Sequence, residues 1–225
     1  SLSYWLEIIP KKFNKIKFLN KNTNEFCKKI NPIFIIGLPR SGSTLVEGII
    51  SSGLLKIENG GETAVINAEI IKEVRGKTFD KNFEKIKFNL DLNNLSNNIL
   101  ARYENFNLLY KDKNYFFTDK SLENFFYVEL ILNLFPNAKF INCERDLIDS
   151  IFAIYGNFFD KMSWTHSIEN ILKYIDQYLI IIDYFKKRYP KKIYSVQLKD
   201  LTQNSLDISK KLFKFCELDW NKSSL

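Results

Sequence analysis

Apolar residues along the chain follow two rhythms. Short continuous runs bounded by Pro, Gly or charged residues predict strands at 32–37 (Pro-Ile-Phe-Ile-Ile-Gly), Leu54–Ile57, Tyr115–Thr118, Lys139–Cys143 and Ile193–Leu198. Between them the apolar positions recur every three or four residues, the spacing of one helix face. Leu45, Val46, Ile49 and Ile50 mark such a face in Ser43–Ser52, and Leu92, Leu95, Ile99, Tyr103 and Phe106 mark another. Further helices are expected at Glu62–Val74, Leu122–Leu134, Leu147–Tyr155 and Leu206–Phe215. The longest stripe runs through Ile168, Ile171, Leu172, Ile175, Leu179, Ile182 and Phe185. Strands alternating with helices predict an α/β fold, a central and mostly parallel sheet with helices on both faces. Residues 1–31, rich in Lys and Asn, read as a helical lead-in that ends at Pro32, since proline disfavours helix in the residue before it. The expected organisation is therefore 1–31 as the end of an upstream region and 32–225 as one domain, with no internal repeat and no linker. The Asn-rich stretch Asn89–Asn98 is the one low-complexity hint, and its leucines keep helical spacing.

Composition narrows the class. With 225 residues, 45% hydrophobic and 15% aromatic, the chain has enough apolar surface for a core of its own, which excludes a disordered chain. Its longest clean apolar runs, Ile33–Ile36 and Tyr178–Ile182, fall far short of the roughly 20 residues of a membrane helix. Three distant cysteines, Cys27, Cys143 and Cys216, with no CxxC pair, exclude a disulfide scaffold and a cysteine-based zinc site, and the single His166 excludes a His-rich metal site. The net charge of +7 favours anionic partners, yet only five of the 33 basic residues are Arg and the Lys are scattered, unlike the clustered footprint of a nucleic-acid reader. No charged-then-apolar signal opens the chain, which starts at Ser1, so it is read as a piece of something longer.

The informative segment is Gly37-Leu38-Pro39-Arg40-Ser41-Gly42-Ser43-Thr44. A glycine-rich turn between a buried strand and a helix points successive backbone N–H groups into one concavity, and the helix adds its positive N-terminus. Ser43 and Thr44 add hydroxyl donors there. Against the nucleotide-hydrolase loop GxxxxGK[ST], the two glycines and Thr44 match, but Ser43 stands where the Lys that reaches the terminal phosphates belongs. Arg40 is the positive charge within this loop. The plain alternative is a glycine turn with a polar helix cap and no ligand.

Residues 32–47 (Pro-Ile-Phe-Ile-Ile-Gly-Leu-Pro-Arg-Ser-Gly-Ser-Thr-Leu-Val-Glu) resemble the 5′-phosphosulfate loop of sulfotransferases that use 3′-phosphoadenosine 5′-phosphosulfate (PAPS). The nearest likeness is to the tyrosylprotein-sulfotransferase-like group, including bacterial proteins in which this domain follows tetratricopeptide repeats. Gly61-Glu62-Thr63, Thr118-Asp119-Lys120, the run Phe135–Asp146 and, more weakly, Leu218-Asp219-Trp220 follow in the family's order. The resemblance implies a P-loop-type three-layer α/β/α fold, PAPS as co-substrate, adenosine 3′,5′-bisphosphate as product, a hydroxyl-bearing acceptor and no metal. It implies that Glu62 takes the acceptor's proton, that Arg40 and Lys120 stabilise the leaving phosphate, that Pro39, Arg40, Ser41, Gly42, Ser43 and Thr44 hold the 5′ end, and that Arg145 grips the 3′-phosphate. Each has a plainer reading: Glu62 as a helix-capping carboxylate, Lys120 as a solvated lysine, Arg145 as half of a pair with Asp146 or Asp149.

The chain also departs from the family pattern. Ala153 stands where a second 3′-phosphate donor, a Ser, is usual, with Ser150 nearly one turn earlier as a possible substitute; Leu147 replaces a Pro. Gln197-Leu198-Lys199-Asp200-Leu201 lacks the aromatic of the family's Arg-Tyr-Glu-Asp-Leu, and the chain stops before a later segment of the family, so the domain is expected to be C-terminally incomplete. Losing one hydrogen bond to a phosphate costs about 1.5–3 kcal/mol, or ten- to a hundredfold in affinity. Two other readings stay open: a non-catalytic sulfotransferase-like binding module, and a P-loop nucleotide kinase, against which the missing Lys argues. Protein tyrosine, a sugar and a small phenol remain equal candidates for the acceptor. A bacterial cytoplasmic location is expected, with a trimmed Golgi-lumen protein as the alternative.

Overall fold

A computed structural model describes residues 2–53, 55, 57–76, 88–109, 115–157, 159–160 and 162–220, apart from the side chains of 75 and 76. Four parallel strands form the central sheet, in the order β4 (Phe116–Asp119), β2 (Asn31–Gly37), β5 (Lys139–Glu144), β6 (Ile193–Gln197). Side chains alternate across β2 and so feed two cores. Ile33 and Ile35, with Ile141, Cys143 and Val196, pack under α1 (Ser43–Ser51) and α8 (Ser205–Cys216). Phe34 and Ile36, with Phe117 and Phe140, face a larger core built from α2 (Val65–Gly76), α3 (Leu92–Asn105), α4 (Val128–Leu134) and α6 (Ile168–Arg188). α5 (Leu147–Tyr155) follows β5, and the short α7 (Leu198–Gln203) follows β6. This is the expected three-layer α/β/α arrangement. Because the strands run parallel, the loops leaving β2, β4, β5 and β6 all open at one edge, where ligands bind in open α/β sheets.

Four expectations need correction. The opening segment is not helical throughout. A π-helical turn at Tyr4–Ile8 and a 3₁₀ turn at Ile9–Lys11 are followed by a strand, β1 (Lys17–Asn20). That strand pairs in parallel with β3 (Asn89–Asp91), the start of the Asn-rich stretch expected to be helical. Such a pairing, between residues some seventy positions apart, leaves no local periodicity to read. Tyr4, Leu6, Ile8, Ile9, Phe13, Cys27 and Ile30 join the larger core beside residues of the following segments. The helix expected from Glu62 begins at Val65, because Gly61 and Ala64 have positive φ and hold residues 61–64 as a loop. The helix expected over Leu122–Leu134 opens as a 3₁₀ turn, Leu122–Tyr127. Leu54 and Lys56 of the strand expected at Leu54–Ile57 lie outside the described residues, and next to it Glu58 forms a lone parallel bridge to Phe117. All three cysteines are buried and unpaired, and burial pushes their thiols up to about 12, far from the reactive range.

Candidate active site

The glycine-rich loop leaves the end of β2 and runs straight into α1. Gly42 caps that helix in the left-handed region, φ 88°, and Arg40 takes the same region at φ 64°. With the backbone turned this way, no N–H of residues 40–45 donates to a partner among the described residues. Six donors at a helix N-terminus, with the exposed Arg40 guanidinium beside them, form an anion cradle. Ser41 Oγ is buried and also has no hydrogen-bond partner among the described residues. An all-donor set with an orphaned hydroxyl suits a phosphate- or sulfate-like group, so these residues fit the 5′ end of PAPS.

The loop carrying Glu62 is held in place from three sides. Gly60 passes so close to β4 that a Cβ would lie 2.0 Å from the Thr118 carbonyl oxygen. Glu47, buried on α1, accepts from Gly61 N–H at 3.0 Å and Thr118 Oγ1–H at 2.8 Å. Gly61 O accepts from Lys120 N–H at 2.8 Å, and Ser121 Oγ accepts from Ala64 N–H at 2.8 Å. Asp119, at the end of β4, is a fully buried hub: it accepts from Tyr103 Oη–H (2.7 Å), Thr63 Oγ1–H (2.8 Å), Ser121 N–H (2.9 Å) and Asn124 Nδ2–H (3.3 Å). Satisfied in this way, the buried carboxylate fixes the turn that presents Lys120. Lys120 Nζ then meets Glu62 Oε1 at 3.0 Å.

Arg145 follows β5, and its Nη1–H donates to the Arg40 carbonyl oxygen at 3.2 Å. Asp149, at 3.8 Å, is a looser neighbour. Asp146 instead caps α5, accepting from the N–H groups of Ile148 (2.9 Å) and Asp149 (3.1 Å). Arg145 is therefore fastened to the glycine-rich loop rather than consumed by an ion pair. Ser150 is placed differently. It is buried, and its Oγ–H donates to the Asp146 carbonyl at 2.8 Å, so in this arrangement its proton is already committed. Two cavities lie at the same edge. One, of about 290 Å³, is lined by Leu38, Arg145 and Tyr178; the other, of about 300 Å³, by Pro39, Glu62 and Trp164.

Sequence reading missed the supports. Glu47 closes the run 32–47 without a role of its own there, and Asp119 figured only as a member of its motif. Neither type of carboxylate is often fully buried without a purpose, but burial is not visible until the fold is known.

Comparison with known proteins bears on the family and the fold. An uncharacterized protein of Aquifex aeolicus (strain VF5) is 29% identical over 196 residues, 84% of this chain, and the chain spans 26% of that relative's length. The fold matches a sulfotransferase from Alicyclobacillus acidocaldarius (TM-score 0.58, 13% identity, 87% of this chain and 85% of that one). It also matches sulfotransferase STF1 from Mycobacterium tuberculosis H37Rv (TM-score 0.56, 10% identity, 99% and 74%). The model of the sulfotransferase family matches residues 32–222, without singling out the tyrosine-directed group, and over that span the chain belongs to the sulfotransferase family.

Proposed function

We propose that the chain transfers a sulfuryl group from PAPS to a hydroxyl acceptor by in-line displacement. The observation that carries this reading is the convergence at one sheet edge of an unpartnered donor cradle, two cations and a carboxylate in contact with one of them. Bound there, PAPS would supply a sulfuryl group attached to a phosphate leaving group. The backbone of Pro39–Thr44, with the hydroxyls of Ser41, Ser43 and Thr44, would hold the phosphosulfate end. Arg145 would grip the 3′-phosphate, a use suited to a guanidinium's forked donors. Ser150 would serve that phosphate only by giving up its bond to Asp146. Arg40 and Lys120 place positive charge where the leaving oxygen gains negative charge. Glu62, on the acceptor side of Lys120, would take the hydroxyl proton as the new S–O bond forms.

The test is formation of adenosine 3′,5′-bisphosphate from PAPS in the presence of hydroxyl compounds. Acceptor-dependent release by the wild type that is lost in Glu62→Gln supports the reading. Release that does not depend on acceptor, or that Glu62→Gln leaves unchanged, contradicts it.

A further inference from the structure

The cavity beside Glu62 is unlike the surface around it. Trp5, from the opening segment, Trp164 and Tyr174 form aromatic walls, and Trp164 stacks on Tyr174 with ring centroids 3.8 Å apart and planes 6° apart. Among the described residues its carboxyl groups are Glu62 and Glu123 and no Lys, Arg or His lines it, in a chain whose net charge is +7. Glu62 is paired with Lys120. Glu123, in the 3₁₀ turn after β4, has no ion-pair partner and no side-chain donor among the described residues; only its own backbone N–H favours the ionised form. Burial, together with repulsion from Asp119 and Glu62, pushes its carboxyl up from 4.5 to about 7. A poorly solvated acid without a cation is costly to keep, and in a cleft it marks a place where a ligand supplies the missing partner.

Size and wall chemistry narrow that ligand. About 300 Å³ lies at the small end of ligand cavities and suits one ring with a short tail rather than a polypeptide segment. Aromatic faces favour a flat ring, and they also attract a cation. We propose that this cavity takes a small aromatic hydroxyl compound bearing a cationic tail, with Glu123 as the group that selects the positive charge and Trp5 as part of the wall. The inference rests on the reading of Glu62 as the base at this site. It disfavours acidic acceptors, although the net charge of the whole chain would attract them.

Three compounds with one ring and tails of similar length separate the possibilities: tyramine (cationic), 4-ethylphenol (neutral) and 3-(4-hydroxyphenyl)propanoate (anionic). Their binding is read by quenching of tryptophan fluorescence and by calorimetry, with and without adenosine 3′,5′-bisphosphate. Tyramine is expected to bind about tenfold or more tighter than the propanoate, the effect of one partly buried charge pair, and Glu123→Gln to bring the two within about threefold. Trp5→Ala is expected to weaken all three alike. Equal binding of the three, the reverse order, no binding of any, or a gap that survives Glu123→Gln overturns the inference. If Glu123→Gln fails to fold, the wild-type order alone decides. The donor-site reading is judged separately: bisphosphate binding without the charge order sinks only this inference, whereas the charge order without bisphosphate binding sinks the assignment of the cavity to an acceptor.

Discussion

Lys120 Nζ and Glu62 Oε1 are 3.0 Å apart, but the lysine side chain is 8% exposed and the glutamate 64%. The cation is therefore fixed by its surroundings while its partner stands at the mouth of the site. The buried hub at Asp119 sets the lysine, and the loop clamped by Glu47 and Ser121 sets the glutamate. This division suits the roles proposed for the two: a cation that stays in place through the transfer and a base that reaches an incoming hydroxyl.

Glu62→Gln keeps the shape of that contact and removes the proton acceptor. Transfer is expected to fall by about 10²- to 10⁴-fold, the range for losing a general base, with little change in bisphosphate affinity. Steady-state transfer rates beside a bisphosphate titration measure both. A loss confined to bisphosphate binding would place Glu62 in the donor site instead.

Tyr103→Phe removes one of the four donors to Asp119 without changing the packing of the ring. Because the bond joins a hydroxyl to a buried carboxylate, the expected loss of stability is about 1.5–3 kcal/mol. It would be seen as a lower denaturant midpoint with an unchanged slope. A midpoint equal to that of the wild type would show that Asp119 is adequately held without Tyr103.

Gly60→Ala tests the close approach to β4. An added Cβ would meet a backbone oxygen, not the movable end of a side chain, so the strand and the Glu62 loop must separate. The expected cost is about 3 kcal/mol, with transfer falling as Glu62 moves away from Lys120. A variant as stable as the wild type would mean that the loop shifts freely.

Glu123 gives the folded state a pH signature. Its folded value is raised from 4.5 to about 7, so the folded protein binds the proton more tightly than the unfolded chain does. Its contribution is fully present below about 4.5 and is lost as pH rises through 7. Glu123→Gln, which cannot ionise, is expected to gain stability relative to the wild type across that window and to keep a constant advantage above it. Denaturant unfolding of both proteins at several pH values measures the difference, and a difference independent of pH would contradict the environment described for Glu123.

What could be read in advance was local. The strand at 32–37 declares itself by its continuous apolar run, the helix Leu147–Tyr155 and the long stripe from Ile168 by period, and the structure shows β2, α5 and α6 there. The glycine-rich loop was legible because its neighbours in sequence are its neighbours in space. What was hidden depends on distant segments. β1 exists through its pairing with β3, and Glu47 acquires its role only when Gly61 and Thr118 fold onto it. Glu123 fell inside the helix expected over Leu122–Leu134, with nothing in the sequence to single it out. Only the packing of Trp5, Trp164 and Tyr174 around the same cavity makes it a feature of the site. Arg145 was legible by motif, whereas its bond to the Arg40 carbonyl was not, since it joins loops 105 positions apart.

The central claim is that the glycine-rich loop and Arg145 together form a site for a nucleotide carrying phosphates at both its 5′ and 3′ positions. Calorimetric titration with adenosine 3′,5′-bisphosphate, against AMP and ATP, tests it most directly. The expected result is a clear preference for the bisphosphate that Arg145→Ala reduces about ten- to a hundredfold while leaving AMP binding nearly unchanged. Equal binding of bisphosphate and AMP, or a preference that survives Arg145→Ala, would contradict the account.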